Sequence, residues 1–403
     1  MKVNRVEKHI ISKRHIMWKE FDSLCFKSKN LYNYANYIQR QKFVSDNKIY
    51  KNSELDKMLQ DTELYKDLGS QSAQRLLRLL DKNWKSFLIS IKDYTKNPSK
   101  YLGKPKLPGY KKKDGRQICE LKNIQFKISN GELIFSLKKL KRFNGLIKSN
   151  IKSKALGIRI VPKGSCYVLE IVYEAEIQET KPFNNRIVGI DLGVDNLATL
   201  TNNVGVKPIV INGKVIKSIN QYYNKKKSKL QSDLKKRHNL NWSNRLQKLQ
   251  DKRDNKIDYH LHCSSKSIIN YCEGLDIDTI VIGLNKTWKQ ESKLVSKANQ
   301  NFISIPYDKL INQIKYKAEN LGINIIVTEE SYTSGCSFLD NEEIGKDTYD
   351  KNRRIYRGLF KSNQGKLINS DVNGSYNIIR KVFPKAFADG IEGVDLHPIR
   401  VNV

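Results

Sequence analysis

Residues 187–201 read IVGIDLGVDNLATLT. The stretch starts with apolar residues, places a carboxylate at Asp191, and follows it with Gly193, which permits a tight turn. This pattern predicts a buried strand that turns into a second strand. A lone aspartate at the end of a strand is most often a turn or capping residue. Asp191 therefore indicates a catalytic site only if a second acidic residue lies near it in the fold.

A second acid, Asp371, begins the stretch DVNGSYNIIRK, which predicts a helix that runs to about Val382 and stops before Pro384. Aspartate is also a common N-cap residue, so each acid taken alone favours a structural role. As a pair, two carboxylates at the ends of secondary-structure elements suit metal-assisted phosphodiester cleavage. In that reaction two divalent ions about 3.5–4 Å apart stabilise the attacking and the leaving oxygens.

Between the two acids the chain alternates strands and helices. DTIVIGLN (278–285) and INIIVTEE (323–330) are apolar runs, as expected of strands in the parallel part of a covered sheet. The residues between them, 306–320, predict a helix, and residues 217–273 predict one or two long helices. Residues 186–403 are therefore expected to form an α/β domain.

The first half of the chain has a different pattern. Residues 2–15 and 119–178 alternate apolar and polar residues, with an Asn130-Gly131 hairpin turn. They predict a small β-barrel or sandwich, which a helical insertion at about 18–100 interrupts. The expected fold class is α+β multidomain, with a β domain (1–17 and 101–182), a helical lobe (18–100) and an α/β domain (186–403).

The chain has 403 residues, and 74 Lys and Arg against 41 Asp and Glu give it a net charge of +33. So large an excess favours a polyanionic partner, because the charges would otherwise repel one another on a compact surface. A basic surface that is merely solvated is the alternative.

The six cysteines are scattered and form no CxxC pair. This spacing argues against a disulfide framework and predicts a reducing compartment. The N-terminus lacks the apolar core of a signal peptide, and no apolar run approaches membrane-spanning length. We expect a soluble, cytoplasmic protein.

The stretches GIDLGVDNLAT (189–199), YTS (332–334) and DVNGSYNI (371–378) resemble the TnpB family. These are transposon-encoded, RNA-guided DNA endonucleases related to the CRISPR type V effectors. The resemblance runs over nearly the whole chain and implies a wedge-like β-barrel with an inserted helical recognition lobe, followed by an RNase H-like RuvC domain. It also implies a guide RNA from the transposon end, double-stranded target DNA beside a short motif, and two Mg²⁺ ions. A monomer is favoured.

By this resemblance Asp191 is the first catalytic acid of the family and Asp371 the third. The second is a glutamate whose position here is Gly283. Glu329 and Glu330 close the next strand, which would lie about 4.8 Å away in a parallel sheet. The pattern indicates a relocated acid, and the sequence leaves open which of the two enters the site. It also leaves open that both are solvated.

The family also places a four-cysteine zinc ribbon before the third acid, whereas residues 333–368 keep only Cys336. Structural zinc needs four Cys or His ligands. We therefore expect no zinc and a metal-free loop or small hairpin, made basic by Arg353, Arg354 and Arg357.

Nucleic acid would bind to basic stretches at Lys111 to Lys113 and at the Lys225 and Lys235 runs. Tyr32, Tyr34 and Tyr37 either contact nucleic acid or pack the first helix.

The leading hypothesis is an RNA-guided double-strand DNA endonuclease in which Asp191, Asp371 and one of Glu329 or Glu330 bind two Mg²⁺ ions. Gly283 motivates the alternative, an RNA-guided DNA-binding protein without cleavage, such as a repressor. A strand-transferring transposase fits the motifs poorly.

Overall fold

The computed structural model describes residues 1–285, 304–350, 352–356, 358–388 and 395–403. They form two compact units, Lys2–Ala175 and Glu176–Val403, the second of which includes Met1. The predicted α+β class is confirmed. The helices are α1 (Trp18–Asp46), α2 (Asn52–Leu59), α3 (Glu63–Leu68), α4 (Ser70–Lys96), α5 (Lys214–His238), α6 (Asn244–Gly274), α7 (Tyr307–Glu319) and α8 (Ser370–Val382).

The strands of the first unit form one sheet and one hairpin. They are β1 (Lys2–Ser12), β2 (Cys119–Lys122), β3 (Phe126–Ser129), β4 (Glu132–Phe135), β5 (Ala155–Lys163) and β6 (Cys166–Glu176). The sheet has the order β1-β6-β5-β2, and β3 pairs with β4. Their turn lies at Asn130 and Gly131, as predicted, where φ is 51° and 74°.

The first unit therefore differs from the predicted closed barrel. Among the described residues, β1 and β2 are the two edges of an open sheet. Closing a sheet takes more strands, strongly tilted and staggered, and this sheet has four, one of which is the four-residue β2.

Helices α1 and α4 form the centre of the helical insertion. The apolar residues Leu76, Leu80 and Trp84 of α4 recur every fourth residue and are buried. The indole of Trp84 donates a hydrogen bond of 3.0 Å to the side chain of Asn36. These apolar residues belong to one buried cluster that also includes residues of the sheet, such as Leu121 and Ile160, so the helices and the sheet share a core.

The second unit is built on a six-stranded sheet with the order β11-β10-β7-β8-β9-β15. These strands are β7 (Ile187–Leu192), β8 (Asn196–Asn202), β9 (Ile209–Asn212), β10 (Thr279–Gly283), β11 (Asn324–Thr328) and β15 (Ile399–Val401). Strand β10 lies between β7 and β11 and is parallel to both, whereas β7, β8 and β9 are antiparallel. The expected parallel pairing of the Gly283 strand with the strand before Glu329 is confirmed.

Alternation along β7 and β10 divides the core between two faces of this sheet. Ile190 and Ile280 belong to the cluster that includes residues of α6 and α7. Ile187 and Val281 pack instead with Ile378 of α8. Because strand side chains alternate with a period of two, Asp191 and Gly283 lie on the α8 face. Both are near the carboxyl ends of parallel strands, which meet at one edge of the sheet.

A small antiparallel sheet precedes α8, in the segment predicted to be a metal-free loop or small hairpin. It consists of β12 (Arg354–Tyr356), β13 (Leu359–Lys361) and β14 (Leu367–Asn369). Cys336 is buried, and its sulfur lies 3.3 Å from the hydroxyl of Thr348. Arg357, one of the three arginines predicted to make the segment basic, lies outside the described residues.

In the part of the chain that the structure describes, no helix combines the length and hydropathy that a membrane crossing requires.

Candidate functional site

Asp191 lies at the penultimate position of β7, where α8 crosses the strand closely. A β-carbon added at Gly189 would lie 2.5 Å from the carbonyl of Ser375, so only glycine permits this crossing distance. The hydroxyl of Ser375 donates to the carbonyls of Gly189 and Thr199, at 3.0 and 3.2 Å. This packing brings the first turn of α8 against the Asp191 carboxylate. A β-carbon at Gly374 would be 3.0 Å from its Oδ2.

Asp371 is not the N-cap of α8. That role belongs to Asn369, whose side-chain oxygen accepts from the backbone N–H groups of Asp371 and Val372 at 3.0 and 3.2 Å. The carboxylate of Asp371 instead accepts a hydrogen bond of 2.6 Å from the amide of Asn196. The simple capping role considered from the sequence is therefore wrong, and the side chain is available to the site.

Glu330 occupies space that Gly283 leaves open. Strand β11 ends at Thr328, which is opposite Gly283. A β-carbon at Gly283 would lie 2.9 Å from Glu330 Oε2 and 3.1 Å from Glu330 Cβ. Glu330 Oε1 accepts from Asn285 at 3.3 Å, whereas Oε2 is buried without a hydrogen-bond partner among the described residues. An orphaned carboxylate oxygen of this kind is costly unless a cation or proton joins it.

Glu329 has a different environment. Its side chain is exposed and accepts a hydrogen bond of 2.9 Å from the hydroxyl of Ser331. The structure thus brings Asp191, Glu330 and Asp371 together around one cavity and leaves Glu329 out of its lining.

Two asparagines of α8 hold the loop that follows Glu330. The amide of Asn373 donates to the carbonyl of Cys336 at 2.9 Å. Asn377 donates to the carbonyls of Thr333 and Cys336, at 2.8 Å each. Tyr332, within this loop, has a φ of 70°, which is unusual for a bulky residue. The conformation after Glu330 is therefore determined by α8, the same helix that carries Asp371.

The cavity between these elements has a volume of about 400 Å³. Besides the three acids, the residues that line it are polar or aromatic for the most part. They include Asn196, Thr199, Asn285, Ser331, Tyr332, Thr333, Ser334, Tyr349 and Arg354. The site is thus a polar cleft with one arginine opposite three carboxylates.

The charges of Glu330 and Asp371 act on Asp191. Burial raises the pKa of Asp191 well above its ordinary value, and the nearby charges of Glu330 and Asp371 raise it further, while Arg354 opposes the rise. Burial raises the pKa of Glu330 to about 7, and Lys381 opposes that rise. A group of carboxylates that repel one another in this way would gain from a divalent cation.

These shifts predict a pH-dependent stability. Between about pH 4.5 and about pH 7 the folded protein keeps a proton on Glu330 that the unfolded chain has released. Stability therefore falls as the pH rises through this window. The side chain of Glu330→Gln cannot ionise. We therefore expect the Tm of this variant to fall less than the Tm of the parent protein when the pH is raised from about 5.5 to about 7.5 in the presence of a chelator. Equal pH slopes by calorimetry would contradict the burial of this carboxyl.

Gly374 offers a test that separates stability from site geometry. Alanine in place of a helical glycine ordinarily stabilises by about 0.5–1 kcal/mol. Here the added methyl group would press on Asp191. We expect Gly374→Ala to keep or raise the Tm while it weakens divalent-ion binding, measured by titration calorimetry. Gly274→Ala, in open space at the end of α6, is the matched control. Unchanged ion binding in Gly374→Ala would show that Asp191 tolerates the displacement.

Carboxylate oxygens are the ligands that Mg²⁺ prefers, so the donor set is chemically suitable for it. Within the described ranges, however, no group of three or more His, Cys, Asp or Glu side chains is placed to hold a metal ion together. The orphaned oxygen of Glu330 and the raised pKa of Asp191 are what indicate a cation site.

Several residues of the site were not anticipated from the sequence. Tyr307 is buried, and its hydroxyl donates to the carbonyl of Gly193 at 2.8 Å. Burial raises its pKa, as do the charges of Asp191 and Glu330. Lys381 donates to the carbonyl of Ser331 at 3.0 Å. Asn196 lies in the Asp191 motif itself, so its amide was the one signal that the sequence offered.

In the first unit, the three tyrosines of α1 differ in their exposure to solvent. Tyr32 is 2% exposed and its hydroxyl accepts from Asn83 at 3.1 Å, so it packs the helix. Tyr34 and Tyr37 are 41% and 51% exposed. Their contact with nucleic acid remains a prediction.

Residues 170–289 match the family model described as probable transposase (OrfB_IS605), and residues 307–378 match the Cas12f1-like TNB domain. The TnpB-like protein ORF457 of Acidianus two-tailed virus is 26% identical over 396 residues, covering 88% of this chain and 81% of that protein. A solved structure of a Cas12f1-sgRNA-target DNA complex is similar with a TM-score of 0.57 at 14% identity, over 90% of this chain and 82% of that one. A CasPhi-2 (Cas12j) structure bound to crRNA aligns over 98% and 99% of the chains, with a TM-score of 0.46 at 11% identity.

The likeness to the Cas12f1 chain shows a common fold. The two family models together include β7, β10, Glu330 and Asp371, the parts from which the cavity is built. With the match to the viral relative, they show that the chain is similar to TnpB-like proteins.

Proposed function

We propose that this protein is an RNA-guided DNA endonuclease in which Asp191, Glu330 and Asp371 hold two Mg²⁺ ions. The observation that carries the proposal is the position of Glu330. Its orphaned carboxylate oxygen lies in the space where the side chain of a residue other than glycine would stand at position 283. Similarity to TnpB-like proteins supports the nuclease role, and the net charge of +33 supports nucleic-acid partners.

Each residue has a separate task in this proposal. Asp191 lines the same cavity as the other two acids, and the charges of both raise its pKa. Glu330 supplies the acid that Gly283 lacks, and Asn196 orients Asp371 by its hydrogen bond. Bound Mg²⁺ ions would stabilise the charge that develops on the attacking and leaving oxygens of the phosphodiester. Arg354, which lines the same cavity, offers a guanidinium to a phosphate.

The partners in the proposal are a guide RNA from the transposon end and double-stranded DNA with a short motif beside the target. Base pairing reads the target sequence, while the protein holds the RNA–DNA duplex by its backbone. The chain would act as a monomer, without zinc, in the cytoplasm of a bacterium near the nucleoid.

The test supplies the purified protein with RNA transcribed from its transposon end and a plasmid library in which the sequence beside a matched target is randomised. We expect Mg²⁺-dependent linearisation that requires the RNA and enriches one short motif among the cut plasmids. The matched control is Asp191→Asn, which keeps the side-chain volume and removes the charge. Absence of RNA binding by the parent protein would contradict the proposal as a whole.

A second candidate is an RNA-guided DNA-binding protein that does not cut. Two observations favour it: position 283 is glycine, and the three acids as placed do not form a metal-binding group in the described part of the chain. This candidate expects RNA-dependent, target-specific DNA binding by the parent protein in gel-shift assays, with no cleavage at any Mg²⁺ concentration.

A further inference from the structure

A groove between α5 and α6 lies apart from the carboxylate cavity. Its volume is about 290 Å³, at the small end of the roughly 300–1,000 Å³ typical of ligand sites. Both helices contribute an apolar side chain to it, Ile219 from α5 and Leu249 from α6. A groove of this size and lining suits one planar ring system.

The two adjacent tyrosines of α5 have opposite roles in this groove. Tyr223 is 6% exposed and forms part of the floor, with the guanidinium of Arg253 5.2 Å from its ring. Arg253 is itself held by hydrogen bonds of 2.8 Å to Asn220 and 3.0 Å to the carbonyl of Ser304. Tyr222 lines the same groove and is 60% exposed. The groove thus has a floor held by hydrogen bonds, formed by Tyr223 and Arg253, and one exposed aromatic ring, that of Tyr222.

The rim of the groove is positively charged. Lys252 and Lys256 line it and are exposed, and they lie on one side of α6 at a spacing of four residues. Neither ammonium pairs with a carboxylate of the described residues. Lys226 of α5 lies 5.9 Å from the Tyr222 ring. Like charges at this helical spacing repel, so the rim favours an anionic occupant.

We propose that this groove binds an unpaired nucleotide of the guide RNA, with its base against Tyr222 and its flanking phosphates at Lys252 and Lys256. An aromatic face beside cations binds single strands, because the face of a base is accessible only when it is not stacked within a duplex. The inference rests on the proposed function. In that function the target DNA stays double-stranded until the guide RNA pairs with it. Before that step, the RNA is the strand that has unpaired bases.

The test measures fluorescence anisotropy of a labelled oligouridine RNA with the full-length protein. We expect Tyr222→Ala to bind the RNA about fivefold or more weakly, as loss of a stacking platform does. Tyr259→Ala is the matched control, because Tyr259 is on α6, is 66% exposed and does not line the groove. Tyr222→Phe, which keeps the ring, should bind as the parent does and so distinguishes stacking from a folding defect.

Charge is tested in the same way. Lys252→Glu should weaken RNA binding more than Lys266→Glu, which makes the same charge change at an exposed position of α6 outside the groove. Equal losses would mean that the RNA is attracted by the overall charge alone, and would overturn the proposal. Tighter binding of an oligothymidine DNA of equal length would assign the groove to the displaced DNA strand instead. Displacement of the labelled RNA by polyglutamate at lower concentrations than by unlabelled RNA would assign the groove to an acidic protein and overturn the proposal.

The two proposals fail in different ways. If the parent protein binds RNA and cuts DNA while Tyr222→Ala does so equally well, only the groove is assigned wrongly. If the parent protein binds no RNA, the proposed function itself is wrong.

Discussion

Glu330→Ala is expected to abolish RNA-guided DNA cleavage, whereas Glu329→Ala is expected to leave it nearly unchanged. Losing a group that merely supports a metal ligand costs about 10–100-fold, so losing a ligand itself should cost more. The two glutamates are adjacent in the chain, yet only Glu330 lines the cavity. Plasmid cleavage rates at saturating RNA and Mg²⁺ measure both effects.

Glu329→Ala is the natural control, because it removes the same side chain one residue away. RNA-dependent DNA binding by Glu330→Ala should persist, which excludes misfolding as the cause of the loss. If both variants cut at the parental rate, the protein is a nuclease, but the hypothesis that Glu330 replaces the acid missing at position 283 is wrong. If Glu329→Ala alone is inactive, the loop after β11 adopts a different conformation in the active complex.

Moving the glutamate back to position 283 is expected to restore activity that Glu330→Ala has lost. In the double variant Gly283→Glu, Glu330→Ala, the new carboxylate starts from the end of β10, on the face that carries Asp191. Two close contacts of its β-carbon remain. One is with Ile378 Cδ1, at 2.5 Å, which is the end of a flexible side chain, and the other is with the β-carbon of residue 330, at 3.1 Å, which alanine keeps. We expect cleavage at least tenfold above that of Glu330→Ala.

Gly283→Gln in the Glu330→Ala background is the matched control, since it adds nearly the same volume without the charge. Restoration by glutamine would mean that the variant repairs packing and not a metal ligand. Failure of both double variants, with folding intact by circular dichroism, would mean that an acid at position 283 cannot replace Glu330.

Most secondary structure of the second unit follows from local pattern. The predicted strand over 278–285 is observed as Thr279–Gly283, and the predicted helix over 306–320 as Tyr307–Glu319. Both have hydrophobic periodicities that a single packing arrangement satisfies. Of the barrel or sandwich predicted for the first unit, the barrel is not confirmed, for the complementary reason. Closure depends on which strands pair, and strand pairing is not a local property.

What the sequence by itself determined is the pair Asp191 and Asp371, the vacancy at Gly283, the two candidate glutamates and the strong positive charge. Residue types and spacing along the chain, together with the resemblance to the TnpB family, are sufficient for these. The choice between Glu329 and Glu330 was decided by the tertiary structure. Strand β11 ends one residue before Glu329, so strand alternation no longer sets the direction of either side chain.

Contacts between elements, together with the cap of α8, make that choice instead. Gly283 leaves space beside Glu330, Asn377 of α8 holds the carbonyl of Thr333, and Asn369 caps the helix so that the Asp371 carboxylate can turn to Asn196. The site is assembled by packing between β10, the loop after β11, and α8. A linear sequence names the acids, but only the packed chain decides which of them meet.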